Sequence, residues 1–140
     1  MEELIDSTIT FRDAIVESLQ AGKLPETMST FPRGCCGESA LLLGTYLKDI
    51  GLGDFTYVGG KRGSQADGDL ASHAWLTQGE LIIDITKSQF PDCPDDITVT
   101  DSSDWHDSFE VSQTFTANIK GTGDQLEPYY EAILETIETT

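Results

Sequence analysis

The segment that decides the fold runs from Gly34 to Gly51 and reads GCCGESALLLGTYLKDIG. Its apolar residues recur at spacings of three and four, as in Ala40, Leu43, Leu47 and Ile50. This periodicity predicts a helix with a continuous apolar stripe, and the neighbouring leucines widen that stripe. We therefore expect a helix that is buried on most sides and lies at the centre of the fold.

Weaker patterns on either side of this helix predict the other elements. A first amphipathic helix is expected over about 7–21, and a last helix that begins near Pro128 closes the chain. Apolar runs predict strands at 55–59, 72–77, 80–86, 97–100 and 109–117. This order favours a single domain over 1–140 of the α+β class, in which an antiparallel sheet packs against the central helix.

The composition of the chain argues against several classes of protein and several kinds of partner. The chain has 140 residues, 25 acidic and 8 basic side chains, and a formal charge of −17. Such acidity argues against binding to nucleic-acid phosphates, although it is also typical of highly soluble and halophilic proteins. No apolar run approaches the roughly 20 residues of a membrane span, and the opening Met1-Glu2-Glu3 lacks the positive charge of a secretory signal. We expect a cytoplasmic protein without membrane or nucleic-acid partners.

Three cysteines, Cys35, Cys36 and Cys93, leave at least one thiol free whatever their pairing. An odd number without an export signal argues against a disulfide framework. Zinc motifs separate their ligands by about two to four residues, so the adjacent pair is a poor zinc site. We expect no metal and no cofactor.

Two of the predicted strands form a hairpin that carries a histidine and an aspartate. If its loop is Gln78-Gly79, a turn that suits glycine, then His73 lies directly opposite Asp84. In the same register Trp75 lies on the same face of the sheet, beside the His and Asp pair. A three-residue loop would break this pairing.

These residues can form a cysteine nucleophile with its base. Cys36 lies where the central helix begins, and the positive end of a helix dipole favours a thiolate. His73 can take the thiol proton, and Asp84 can orient the imidazole. Taken singly, each residue is more often structural, and His106 in the acidic segment 101–107 is expected to be a solvated loop residue.

The same stretches resemble a known family. The pattern Gly34-x-Cys-Gly-Glu-x-Ala, followed by an apolar helix, then His-Ala-Trp-Leu at 73–76 and Ile-Asp-Ile-Thr at 83–86, is similar to the transglutaminase-like branch of the papain-like cysteine enzymes. The resemblance spans about 33–90. It implies a catalytic helix that starts at Cys36 rather than Cys35, and a sheet that supplies His73 and Asp84 in that chain order.

The expected function is a cysteine hydrolase or acyltransferase that acts on an amide bond. Cys36, His73 and Asp84 are the expected catalytic residues, and Trp75, Gly34 and Cys35 are the expected substrate-binding residues. A peptidase or a deamidase is favoured over protein crosslinking, because the chain is small and shows no obvious calcium loop. The substrate is expected to be a protein or peptide that presents a basic or neutral segment. The alternative is an inactive transglutaminase-like module that binds a basic protein surface.

Overall fold

The computed structural model describes residues 1–90, 95–122 and 124–139, so Cys93 lies outside the described residues. The helices of this part of the chain are α1 (Glu2–Gln20), α2 (Cys36–Asp49), α3 (Asp104–Asp107), α4 (Ile119–Thr122) and α5 (Glu127–Glu138). Its strands are β1 (Thr56–Arg62), β2 (Ala71–Gln78), β3 (Leu81–Asp84), β4 (Thr98–Thr100) and β5 (Glu110–Thr116).

Within the described ranges the strands form one five-stranded sheet in the order β4-β3-β2-β1-β5. Every neighbouring pair is antiparallel. Helix α2 packs against β2 and β1, while α1 packs against α2 and α5. The predicted α+β fold, with an antiparallel sheet packed against helices, is therefore confirmed.

The main core lies between the helices and one face of the sheet. Phe11 and Ile15 of α1, Leu43 and Leu47 of α2, and Leu76 of β2 are each at most 1% exposed. Burial of an apolar side chain of this size contributes about 1.5–3 kcal/mol to folding. The apolar stripe of α2 thus faces the sheet, as its periodicity predicts.

The far end of the predicted stripe on α2 behaves differently. Ile50 is 38% exposed, because the helix ends at Asp49 and the chain then turns away.

Near the middle of α2, Gly44 allows the helix to approach the segment after β5. A Cβ built on Gly44 would stand only 2.5 Å from the Cβ of Ala117.

A second, smaller apolar cluster lies on the opposite face of the sheet. Side chains alternate along a strand, so Leu76 enters the main core while its neighbour Trp75 points the other way. Trp75 joins Val58 and Phe109 in this cluster, and Ile82, Phe90 and Trp105 pack against it. Trp105 comes from α3, so the acidic segment that the sequence indicated as a loop contains a short helix over this face.

The β2–β3 hairpin has a different register from the predicted one. Its loop is Gly79-Glu80, and Gln78 pairs with Leu81. Gly79 has a φ of +61° at the first loop position, where a type II′ turn prefers glycine. The prediction that His73 lies directly opposite Asp84 is therefore wrong. The pairing shifts by two positions, which leaves every side chain on its predicted face.

Two further elements have different bounds from those that the sequence predicted. Strand β1 continues through Gly59 and Gly60 to Arg62, where the sequence indicated a loop, because it is paired with β2 on one side and β5 on the other. Helix α1 begins at Glu2 rather than near Ser7.

No helix among the described residues combines the length and apolar composition required to cross a membrane.

Candidate active site

Cys36 is the first residue of α2, and its side chain is half-buried. The first backbone N–H groups of a helix have no partner within the helix, and the helix dipole is positive at this end. Gly34, two residues earlier, is exposed and has a φ of +73°, a conformation that glycine adopts without strain. The turn and the helix start together place Cys36 next to residues 74–76 of β2 and 83–86 at the end of β3.

Cys35 is in a different environment although it is adjacent in sequence. It is 0% exposed within the main core, and its Sγ accepts a hydrogen bond from Ser39 Oγ at 3.8 Å. Burial raises the pKa of the Cys35 thiol to about 11, with a smaller opposing effect from that hydrogen bond. Contrary to the expectation of a substrate-binding residue, its side chain has no surface to offer a substrate.

His73 connects the thiol to the carboxylate. Its Nε2 lies 2.6 Å from Asp84 Oδ2, and its side chain is 0% exposed. Burial alone would lower the pKa of His73, but hydrogen bonds with Asp84 and Cys36, and the charges of both partners, raise it to about 9. Since Nε2 is engaged by Asp84, Nδ1 is the nitrogen that remains for Cys36. The amide Nε2 of Gln89 also reaches this atom, at 3.3 Å.

Asp84 is held as an ionised carboxylate despite being 2% exposed. Burial would raise its pKa, but hydrogen bonds from His106 and His73, the charge of His73 and the backbone N–H of Thr86 lower it to about 2. The Thr86 amide donates to Oδ1 at 2.9 Å, which leaves Oδ2 to the two imidazoles. A carboxylate with this many donors remains a fixed acceptor at neutral pH.

His106 is the residue that sequence reasoning missed. The expectation of a solvated loop residue is wrong, because His106 is 2% exposed and its Nε2 lies 2.7 Å from Asp84 Oδ2. It belongs to α3, where Ser103 caps the helix by accepting from the His106 backbone N–H. The signal in the sequence was Trp105: a large aromatic residue within an acidic segment indicates a point where the chain returns to the protein interior.

Aromatic rings surround this group of side chains. The rings of Trp75, Phe90, Trp105 and Phe109 all have their centroids within 6.0 Å of the His73 ring centroid. The Arg62 guanidinium lies over the last three of these rings, at 4.8–5.3 Å from their centroids. Trp75 is 4% exposed. Its ring therefore packs against the two imidazoles on the side of the sheet and presents almost no surface to solvent.

Tyr57 approaches the helix start from β1. A Cβ built on Gly37 would stand 3.2 Å from the Tyr57 hydroxyl, so glycine at this position makes room for that oxygen. Burial raises the pKa of Tyr57, and the charges of Cys36 and Glu38 raise it further, which keeps the phenol protonated. Among the described residues this hydroxyl has no hydrogen-bond partner, so its proton is available to a ligand.

A groove of about 540 Å³ begins beside the helix start. Its walls include Gly37, Glu38 and Leu41 of α2 and Tyr129 of α5. By contrast, the enclosed space between Cys36 and the ends of β2 and β3 is too small to admit a water molecule. The sheet side of Cys36 is therefore closed, and the groove borders the residues that directly follow Cys36 in α2.

The two histidines and Asp84 also form a possible metal-ligand set, because one ligand atom from each lies within 4.8 Å of the others. Two His and one carboxylate are a common donor set for transition metals. Here, however, both Nε2 atoms lie at hydrogen-bond distance from the same oxygen, Asp84 Oδ2. The polar atoms thus satisfy one another without an ion.

Comparisons with protein-family models, with curated proteins and with solved structures found no match for this chain.

Proposed function

We propose that this protein is a cysteine hydrolase or acyltransferase of the transglutaminase-like, papain-like type, acting on an amide bond. Cys36 is the nucleophile, His73 the general base and acid, and Asp84 the residue that orients His73. Support comes from the residue pattern at 34–40, 73–76 and 83–86 together with the geometry of the site. A helix that begins at the nucleophile and packs on an antiparallel sheet is the arrangement that this family type requires.

The observation that carries the proposal is the position of His73 between its two partners. Its Nε2 hydrogen-bonds Asp84 Oδ2, and its interaction with Cys36 is one of the causes that raise the pKa of His73. An ionised Asp84 favours the imidazolium, and the imidazolium in turn favours the thiolate. Three side chains from three different elements converge on one buried imidazole, an arrangement that an apolar core without chemistry would not need.

The chemistry follows from that ion pair. The Cys36 thiolate attacks the amide carbonyl carbon, and the carbonyl electron pair moves to oxygen. When the C–N bond breaks, His73 gives its Nδ1 proton to the leaving amine, and a thioester remains on Cys36. Water or a second amine then attacks the thioester, His73 takes a proton from it, and the thiolate leaves. Water yields a carboxylic acid, and an amine yields a new amide.

Two donors are available for the oxyanion of each tetrahedral intermediate. The backbone N–H of Cys36 belongs to the first turn of α2 and has no partner within the helix. The Tyr57 hydroxyl lies beside Gly37 and remains protonated. Donors fixed in place before the reaction stabilise the developing charge without reorganisation.

The substrate is a protein or peptide that presents a basic or neutral segment. The chain carries a formal charge of −17, and Glu38 lines the groove that borders the start of α2. A cationic side chain next to the scissile amide would be attracted by both, whereas an acidic segment would be repelled. A peptidase or a deamidase is favoured, since either needs only water as the second reactant.

A peptide library tests the proposal directly. Peptides with lysine or arginine flanking glutamine, asparagine or an ordinary peptide bond are incubated with the protein and analysed by mass spectrometry. Fragments identify a peptidase, the mass change of deamidation identifies a deamidase, and adducts with an added amine identify a transferase. Cys36→Ala is the control for each, and product formation that persists in this variant would contradict the mechanism.

The runner-up is an inactive module that binds a basic surface. One observation favours it: His73 is fully buried, and the enclosed space beside Cys36 is too small to admit a water molecule. Thiol alkylation separates the two functions. Fast alkylation at neutral pH that is confined to Cys36 and lost in His73→Ala supports the enzyme. Slow alkylation that does not depend on His73 supports the module.

A further inference from the structure

The carboxylate that orients His73 is itself held by a second imidazole. His106 Nε2 and His73 Nε2 lie 2.7 Å and 2.6 Å from the same oxygen, Asp84 Oδ2. The side chains of His106 and Asp84 are each 1% exposed, so water does not compete for these hydrogen bonds. Hydrogen bonds to an ionised acceptor in such surroundings are stronger than those between neutral groups.

The tautomer of His106 is set by Ser103. Ser103 Oγ lies 2.6 Å from His106 Nδ1 and accepts the His106 backbone N–H at 3.1 Å. Because the serine oxygen already accepts from that amide, its single hydroxyl proton is free to be donated to Nδ1. An Nδ1 that accepts places the ring proton on Nε2, which is the nitrogen that faces Asp84.

We propose that His106 is a positioning residue of the candidate site: its Nε2–H fixes the orientation and the ionised state of the Asp84 carboxylate that His73 requires, and Ser103 fixes the tautomer that makes this possible. The proposal rests on the proposed function, since a positioning residue needs a reaction. It extends the site from three side chains to five, joined in the order Ser103, His106, Asp84, His73, Cys36.

The residues around His106 hold its ring in a fixed position beside Asp84. Its ring contacts Trp75 and Trp105, with ring centroids 4.9 Å and 4.8 Å away, so it cannot rotate without disturbing both. Among the described residues, the Arg62 and Lys87 cations lie over the neighbouring Trp105 ring, at 5.0 Å and 5.9 Å from its centroid. Among the described groups that face Asp84, only His73, His106 and Thr86 donate hydrogen bonds to it.

The test uses variants of the 140-residue chain and a reagent that needs no known substrate. The second-order rate of Cys36 alkylation by iodoacetamide is measured against pH in the wild type, His106→Phe, His106→Gln and Asp107→Asn. Phenylalanine keeps a ring but removes the donor, whereas the glutamine amide can still donate to Asp84. Asp107 is an exposed residue of the same short helix and serves as the matched control.

We expect His106→Phe to alkylate about ten- to a hundredfold more slowly at neutral pH. The acid limb of its pH–rate profile should also move to higher pH, because Asp84 loses a donor that keeps it ionised. His106→Gln should recover most of the rate, and Asp107→Asn should match the wild type. A purely structural role would lower the amount of folded protein and leave the limb where it is.

Ser103 supplies a second test, which decides the matter if His106→Phe does not fold. Ser103→Ala removes the donor to Nδ1 and should slow alkylation with the same movement of the acid limb, while Ser103→Thr restores both. Nitrogen NMR of the wild type should show His106 protonated at Nε2 and accepting at Nδ1.

Three results would overturn the proposal. One is a wild-type rate that is fast and depends on His73 but is unchanged in every folded His106 and Ser103 variant. Another is a first-row metal that copurifies with the wild type and is lost in His106→Gln, since His106 would then be a metal ligand. The third is slow wild-type alkylation that is independent of His73. This last result contradicts the proposed function itself, whereas the first leaves it standing. The second would count against both proposals, because the same metal would engage His73 and Asp84.

Discussion

The Tyr57 hydroxyl lies against Gly37, so closely that a Cβ on this glycine would stand 3.2 Å from the oxygen. Gly37 directly follows the candidate nucleophile, and the oxygen therefore lies beside the peptide groups of the helix start. The Tyr57 ring is held in place by stacking on Phe115, with ring centroids 4.4 Å apart. A phenol fixed in this way can serve as a hydrogen-bond donor to a carbonyl oxygen of a substrate.

Tyr57→Phe should slow acylation of Cys36 by an amide or ester substrate by about a hundredfold, because removal of one oxyanion donor has effects of this size. Alkylation by iodoacetamide forms no oxyanion, so its rate should remain that of the wild type. The two rates, measured on the same preparation, check the prediction. Equal losses in both reactions would mean that Tyr57 supports the fold of the site and not the oxyanion.

Cys36→Ala should abolish acyl transfer and remove the fast-reacting thiol, whereas Cys35→Ser should keep most of the activity. The reason is burial: Cys35 is 0% exposed, and burial raises its thiol pKa to about 11. Mass spectrometry of the alkylated peptides checks which thiol reacts. Activity that survives in Cys36→Ala would exclude this residue as the nucleophile.

Stability should fall with increasing pH on the alkaline side of neutrality. The pKa of His73 is raised from 6.5 to about 9, so its contribution to folding is fully present below about pH 6.5 and is lost as pH rises through about 9. Asp84 has its pKa lowered from 3.8 to about 2, so its contribution is present above about pH 3.8 and is lost as pH falls through about 2.

Urea unfolding at several pH values between about 6 and 10 measures the alkaline change in free energy. The free energy of unfolding should decline less with rising pH in His73→Gln, because glutamine does not titrate. A variant that loses stability in parallel with the wild type over this range would show that His73 is not the group responsible.

Gly44→Ala should destabilise the protein, although alanine favours helix more than glycine by about 1 kcal/mol. The new Cβ would lie 2.5 Å from the Cβ of Ala117 and 3.1 Å from its carbonyl oxygen. Overpacking of this kind costs about 1–3 kcal/mol, which outweighs the gain in propensity. The free energy of unfolding should recover in part in the double variant Gly44→Ala/Ala117→Gly. Equal stability of the single variant and the wild type would show that the helix can move away from Ala117.

Reagent charge should govern the speed of reaction at Cys36. With a formal charge of −17 on the chain, a cationic methanethiosulfonate should react faster than an anionic one of similar size. The ratio of the two rates should fall as salt is added, because the Debye length is about 10 Å at 0.1 M ionic strength. The ratio is measured against ionic strength at constant pH. A ratio that salt does not change would contradict electrostatic steering.

Local patterns in the sequence were sufficient to predict the helices and strands that bury one face of regularly spaced apolar residues. The stripe at Ala40, Leu43 and Leu47 predicted α2, because apolar residues at spacings of three and four lie on one face of a helix, whereas its start at Cys36 rather than Cys35 was implied by the family resemblance. The β2–β3 hairpin was predicted as a pair of strands with the correct faces, since alternation along a strand does not depend on the loop. Its register was wrong, because one glycine suits either position of a two-residue turn.

What only the tertiary structure decided is the set of groups around Asp84. His106 is 22 positions further along the chain, in a segment whose composition is that of a solvated loop, and its hydrogen bond to Asp84 forms because α3 folds over the second face of the sheet. The same holds for Tyr57, which reaches Gly37 only when β1 packs beneath α2. The sequence shows which side chains can donate or accept a proton. Packing decides which of them form a hydrogen bond, because donor and acceptor must be about 3 Å apart, to within a few tenths of an ångström, although they are far apart in the chain.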